Sequence, residues 1–280
     1  MCINSKMRFF LILFFFSTLI YSQTDSTSNK NNRIWEDLKY DGNVAFKGLV
    51  NSYKQPLSWK KDDFLTAGGI LVGTGLMYLA DNEVNGFFVK QDKHIPHLVK
   101  QVGFYGGKPQ TFFLVSAGVY GFGLLTDNEK IRRTGVLIIT SAAASGILQS
   151  FSKNIAGRAR PSNGDHNDFK PFNGNAGFHS FPSGHAMLSF SMAHAVAKQF
   201  DNFWVKAGIY GVGSIVPISR LWANAHWVSD VGLGMVISIV FVDGVDNFMN
   251  KKNYYPSNKQ TKISWKLKAG LGTIGVVGTF

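Results

Sequence analysis

The sequence predicts an all-α chain, and three observations carry that expectation. Six apolar stretches, roughly 62–80, 110–126, 134–153, 184–200, 203–218 and 227–248, have the length and periodicity of helices. Thirty glycines suit close helix packing and frequent turns. Cys2 is the only cysteine, so neither a disulfide framework nor a cysteine-ligated metal site organises the chain. At 280 residues one main domain can bury a full core. The expected architecture is a six-helix bundle with a polar N-terminal segment and a short β-like C-terminal tail.

The ends differ from the middle. In residues 1–23, Lys6 and Arg8 precede the apolar run Phe9–Phe16, the pattern of an export signal. Ile20 and Tyr21 spoil the small-residue cleavage pattern near Ser22, so a retained anchor stays open. Residues 24–57 are rich in Ser, Asn and Lys and read as an irregular polar segment. Residues 58–250 form the helical domain. In the basic tail 251–280, Ile263, Trp265, Leu267, Ala269 and Leu271 alternate with polar or glycine positions and read as one strand. Two longer connections, 81–109 and 154–183, interrupt the helices and are candidate functional loops.

Charge narrows the partners. The net charge is +12, with clusters before Phe64, at Arg132-Arg133 and in the tail. A nucleic-acid binder can carry such a charge, but no recognised nucleic-acid motif is present and many aromatics lie in apolar runs. Attraction to anionic lipid or to phosphate substrates fits better, solvated basic faces being the plainer alternative. A mean hydropathy of +0.01 leaves water or lipid open.

The chemistry collects in three segments. In KNIAGRARP, Lys153 and Arg160 stand seven apart; a helix persisting to Pro161 would put both on one face. In FPSGHAMLSF, Ser183 can cap the helix beginning near His185, while Gly184 lets backbone N–H groups approach an anion. In SRLWANAHWVSD, His226 and Asp230 are four apart, within reach on a helix starting near Trp227. Arg160 and Arg220 could fork onto phosphate oxygens, with Lys153 adding a compact charge. A carboxylate on one ring nitrogen frees the other to attack, so His226 with Asp230 reads as a nucleophile. His185 could protonate the departing oxygen.

Together these segments resemble the type-2 phosphatidic acid phosphatase (PAP2) superfamily, which also contains vanadium-dependent haloperoxidases. The pattern stands here as Lys153…Arg160-Pro161, Pro182-Ser183-Gly184-His185 and Ser219-Arg220…His226…Asp230, within a resemblance covering about residues 58–250. It implies a metal-independent hydrolase of phosphate monoesters or pyrophosphates, with lipids favoured, passing through a phosphohistidine on His226. It further implies His185 as acid, Asp230 as orienting group, and Lys153, Arg160, Arg220, Ser183 and Gly184 as phosphate holders. No metal or cofactor is implied, although vanadate could occupy the phosphate site. The alternatives are a haloperoxidase, a soluble exported acid phosphatase or phosphotransferase, or a non-catalytic anion binder. Oligomeric state is open.

Outside the pattern, His94 and His97 read as surface loop residues, His166 as a solvated turn, His179 as a possible lining of the substrate entrance, and His194 as a satisfied core residue. Arg158 reads as an exposed helix-end cation, with substrate contact as the alternative. An export signal places residue 24 outside, so six spans would turn all three segments to the cytoplasm. Lys130, Arg132, Arg133, Lys198 and Lys206 instead mark the opposite turns as cytoplasmic. Either helix 62–80 fails to cross or the whole bundle is exported; both leave a membrane-associated site facing the periplasm.

Overall fold

The computed structural model describes residues 27–256, 264–270 and 273–279, so the export reading of 1–23 lies outside the described residues. The chain divides into two compact units, Met1–Lys39 and Tyr40–Phe280. Among the described residues there are nine α-helices: α1 (Thr27–Lys54), α2 (Lys61–Leu79), α3 (Asp81–Gln91), α4 (His97–Gly106), α5 (Pro109–Leu125), α6 (Glu129–Ala156), α7 (Gly184–Ala197), α8 (Phe203–Trp222) and α9 (Val228–Lys251). The strands β1 (Ser264–Gly270) and β2 (Thr273–Thr279) follow and pair antiparallel, Ser264 opposite Thr279. The chain is all-α apart from this tail, and the six expected helices correspond to α2 and α5 to α9.

Local chemistry sets the helix ends. The Asn128 side chain accepts the Ile131 N–H at 3.1 Å to open α6. Gly157, in the left-handed region at φ 54°, closes it. Asn202 caps α8 by accepting from Trp204 and Val205. Pro109 sits in the first turn of α5, where its missing N–H costs nothing.

Three sequence expectations need correction. Residues 24–57 are not irregular: α1 fills most of them, and its inward face carries Asp41, Val44 and Gly48. A carboxylate and a glycine among the buried positions hide the apolar period. Connection 81–109 holds α3, a 3₁₀ turn at Asp92–His94 and α4, short helices separated at Pro96. The tail is a hairpin rather than one strand.

The core joins Val44 of α1, Phe112 of α5, Leu137 and Ile138 of α6, and Val242 and Val245 of α9. At one end of the bundle it is flanked by buried charges. Arg132 pairs with Asp41 at 3.2 Å, and Asp41 also accepts from the Tyr120 and Tyr255 hydroxyls. Arg133 binds Asp246 at 2.5 Å and Asn250 at 2.9 Å; Lys198 bridges Asp246 and Asp243. The two arginines read as turn charges are therefore buried structural ion pairs. His194, between the Tyr210 hydroxyl and Asp243, is a satisfied interior residue as expected.

The same contacts fix direction. Tyr40 and Asp41 meet Tyr254 and Tyr255, so the second unit begins and α9 ends at one end of the bundle. From there the chain climbs through α1 and α2 until Tyr78 reaches Arg158 at the other end. Helix 62–80 therefore traverses the bundle with the rest.

Helices α6 and α9 are long and apolar enough to cross a membrane, and α2 with α3, bent by 62° at their junction, makes a third candidate. Leu71, Leu76, Leu79, Leu114, Leu125 and Trp204 are exposed on the outside of the bundle, as a bilayer-facing surface requires. This is a membrane protein with two to three candidate transmembrane helices. Replacing Asp246 by Ala should strand the Arg133 charge and lower stability by about 3–5 kcal/mol, measured by thermal unfolding in detergent.

Candidate active site

The end of the bundle opposite Asp41 holds a cavity of about 270 Å³, lined by Gln149 and Lys153 of α6, Arg160, Gly184 and His185 of α7, Arg220 of α8, and His226 among others. Segments far apart in sequence converge here because α6 and α8 end, and α7 and α9 begin, at this rim. Lys153 and Arg160 meet in the cavity, but not through a continuous helix. The chain leaves α6 at Gly157, and Arg160 reaches back from the loop, held by the carbonyls of Ala176 and Ala225 at 3.1 and 2.9 Å. A Cβ at Gly157 would collide with the Lys170 carbonyl, so both the turn and the close approach require glycine there.

His226 precedes α9 and is 2 % exposed. Its Nε2 lies 3.3 Å from Arg160 Nη1, while its Nδ1 is 3.6 Å from Asp230 Oδ2 and 3.4 Å from Ser180 Oγ. Asp230 Oδ2 accepts from the Ser180 hydroxyl at 2.5 Å and from the Trp227 N–H at 2.9 Å, so the carboxylate also caps its own helix. Its other oxygen accepts from Arg158 at 2.8 Å. Burial pushes the His226 imidazole below its ordinary pKa, the Asp230 carboxylate opposing the shift and Arg160 and Lys153 adding to it. The unattached ring is neutral at pH 7, with Nε2 available as a nucleophile.

His185 opens α7, a helix of 14 residues that is shorter than the ~20 a span needs. Burial first, then Arg220, His226, Lys153 and Arg160, lower its pKa to about 4. Its Nε2 is buried without a protein partner. A Cβ on Gly107 would meet His185 Cβ at 2.8 Å, so the turn after α4 fixes the ring. Helix α4 forms a wall: Phe104 lies under the Arg220 guanidinium at 5.4 Å and Lys108 at 4.3 Å.

Ser183 sits at the N-cap position of α7, but its hydroxyl makes no capping bond and is fully buried without a protein partner. It does not line the cavity. The Gln149 carbonyl, with its amide turned to satisfy its neighbours, accepts from Gly184 N at 3.0 Å and Lys153 Nζ at 3.2 Å. A Cβ on Gly184 would strike the Gln149 amide and push that side chain off the contact.

Among the described residues, no carboxylate lies within 4.0 Å of Lys153, Arg160 or Arg220. Arg132, Arg133 and Arg158 all have such a partner. The described residues also contain no group of three His, Cys, Asp or Glu side chains able to hold a metal ion. Three clustered cations without counter-charge, set around a neutral imidazole, form a seat for a multiply charged anion.

The residues outside the pattern fall as follows. His94 and His97 are exposed. His179 bonds the Asn173 carbonyl at 2.7 Å and does not line the cavity. His166 is not simply solvated, since its ring packs against Tyr78 and Trp227. Arg158 is neither exposed nor at the cavity: it is 1 % exposed and buried against Asp230 and Asp81. Sequence reasoning missed Ser180, Asp81, Phe104 and Gln149. Only Gln149 had a signal, one helical turn before Lys153.

Fold and site define the class, a helical bundle of the PAP2 type. Residues 134–254, which hold all three signature segments, match the model of the PAP2 superfamily, and this segment belongs to it. It is 33 % identical over 107 residues to the lipid A 1-phosphatase of Rhizobium etli, an alignment covering 36 % of this chain and 44 % of that protein. The chain thus spans less than half of that relative. With the lipid A 1-phosphatase of Rhizobium johnstonii it shares 26 % identity over 202 residues, 66 % of this chain and 79 % of the other. Two solved structures are similar. Aquifex aeolicus LpxE matches at 19 % identity and TM-score 0.44, over 58 % of this chain and 93 % of that one. The first transmembrane PAP2 type phosphatidylglycerolphosphate phosphatase from Bacillus subtilis matches at 20 % identity and TM-score 0.49, over 65 % and 95 %.

The depressed His185 pKa has a measurable consequence. A bound phosphate dianion offsets the cations that help keep His185 unprotonated, so its pKa rises on binding and a proton is taken up. Calorimetry of orthophosphate binding near pH ~6, in buffers of different ionisation heat, should show fewer protons released by the wild type than by His185→Ala, because His185 takes the proton that the monoanion gives up on binding as the dianion. Affinity for the dianion should fall as pH rises through the raised pKa.

Proposed function

We propose that this chain hydrolyses lipid phosphate monoesters or pyrophosphates through a phosphohistidine on His226, with no metal in the reaction. The uncompensated triad Lys153, Arg160 and Arg220 beside the His226–Asp230 pair is the observation that carries the reading. In the first half-reaction His226 Nε2 attacks phosphorus and the bond to the lipid oxygen breaks. That oxygen leaves with the proton of His185, which anion binding has charged. In the second, His185 takes a proton from water as the oxygen attacks the phosphorus. The N–P bond breaks, and orthophosphate leaves. Asp230 balances the positive imidazole of the intermediate, while the three cations neutralise the equatorial oxygens. Gly184 completes the phosphate seat from the start of α7, with Ser183 buried behind it.

Both curated relatives are named for lipid A 1-phosphate cleavage, which makes a glycolipid phosphate the favoured substrate. The site end is assigned to the periplasmic side. Lys130, Lys198, Lys206, Lys251 and Lys252 gather toward the opposite end, which the positive-inside rule places in the cytoplasm.

His226→Ala should reduce turnover of lipid A 1-phosphate and phosphatidic acid in mixed micelles by ~10³-fold or more while thermal unfolding is unchanged; retained turnover would reject the nucleophile. His185→Ala should slow poor leaving groups most across a phosphate-ester series, and equal slowing throughout would reject the acid. Orientation is tested on a Cys2→Ser background with cysteines placed singly at Asn167 and Asn253. In intact cells a membrane-impermeant maleimide should label only the first, and the reverse pattern would overturn the assignment.

A further inference from the structure

Arg158 poses a problem for the chemistry just described. Its Nη1 donates to Asp230 Oδ1 at 2.8 Å, so a buried guanidinium sits directly on the carboxylate that must balance the His226 imidazole. An arginine paired with that one aspartate would cancel the negative charge the phosphohistidine needs. The structure holds a second carboxylate on the same guanidinium. Asp81, the first residue of α3, accepts from Arg158 Nη2 at 2.6 Å and is 0 % exposed. It also accepts from the Ser229 backbone at 3.0 Å and the Ser229 hydroxyl at 2.7 Å, and that hydroxyl in turn accepts from Arg158. Two carboxylates therefore hold the start of α9: Asp230 on the Trp227 N–H and Asp81 on the Ser229 N–H. The rings of Tyr78, Trp227 and Phe169 surround the guanidinium within 5.7 Å and keep water from screening it.

We propose that Asp81 is a positioning residue for catalysis. By sharing Arg158 it leaves one net negative charge on the buried Asp81–Arg158–Asp230 cluster, which faces His226 when the ring becomes positive. Asp81 touches neither the cavity nor the nucleophile, and no motif contains it. The inference rests on His226 as the reactive imidazole. The charged groups facing that ring are Asp230 of α9, Arg160 of the loop, Lys153 of α6, His185 of α7 and Arg220 of α8 across the cavity. Only Asp230 among them is negative, so the cluster behind it sets the balance.

The test is Asp81→Asn, which keeps an acceptor for Ser229 and removes the charge, beside Asp81→Glu, which keeps the charge. With para-nitrophenyl phosphate as substrate, Asp81→Asn should lower kcat by about 10–100-fold with KM little changed. The acid limb of kcat/KM should move down by about one pH unit, because the positive ring is less well balanced. Asp81→Glu should leave the limb in place. A loss of activity with an unmoved limb, or an equal shift in both variants, would overturn the proposal. If Asp81→Asn does not fold, the double variant Asp81→Asn/Arg158→Gln restores the net charge of the cluster. A wild-type limb in the double variant upholds the idea, and a displaced one overturns it. The pH dependence of orthophosphate affinity reads the same displacement without turnover, so a wrong substrate or mechanism is distinguishable from a wrong role for Asp81.

Discussion

The Asp230 carboxylate is where the packing of the bundle and the chemistry of its rim depend on one another. One oxygen closes the first turn of α9 through the Trp227 N–H and accepts from Ser180, on the loop that leads into α7. The other takes Arg158, which anchors the loop after α6 and, through Asp81, the bend between α2 and α3. Four separate stretches of chain are thereby tied to a single buried acid. Displacing it would take an acceptor from the buried Trp227 N–H and Ser180 hydroxyl and one of two carboxylates from Arg158, at a cost that holds the rim together. The same acid stands behind His226, so one carboxylate both ties the rim together and would orient the proposed nucleophile.

Charge compensation separates structure from function more sharply than burial does. Arg132, Arg133 and Arg158 are each almost fully buried, and each has a carboxylate. Lys153, Arg160 and Arg220 are gathered at one cavity with none among the described residues. Bringing unpaired cations together works against folding, and a sequence retains such a cluster where an anion completes it. The aromatic wall at Phe104 partly offsets this by facing the Arg220 and Lys108 cations.

Much of this was legible in the sequence. The six apolar helices show their period because their inward faces are continuous, and the three signature segments carry their chemistry in their spacing. The second half of α1 was hidden because its buried face is centred on Asp41, a residue that any hydropathy reading assigns to solvent. Helices α3 and α4 are short and separated by a 3₁₀ turn and Pro96, so no window is long enough to show a period. The Lys153–Arg160 spacing gave the right outcome for a different reason: the two cations meet through a left-handed glycine and a returning loop, not along a helix face. Arg158 read as an exposed cation because its partner Asp81 is 77 residues away, a pairing that only the packing of α2 against the rim creates.

The seat also explains how a site built from cations can perform acid catalysis. With the cavity unshielded, His185 is surrounded by positive charge and has lost its proton at neutral pH. A neutral or singly charged ligand would leave it so. A phosphate carrying two charges supplies what the surrounding side chains lack, lowers the local potential and lets the imidazole regain its proton as the substrate settles. In the proposed reaction, protonation of the leaving group is then coupled to occupation of the seat by the right charge. Discrimination of this kind needs no contact with the lipid beyond the phosphate, so selection among lipid phosphates would have to come from the surfaces around the mouth, of which α4 and the loop between α6 and α7 are the nearest.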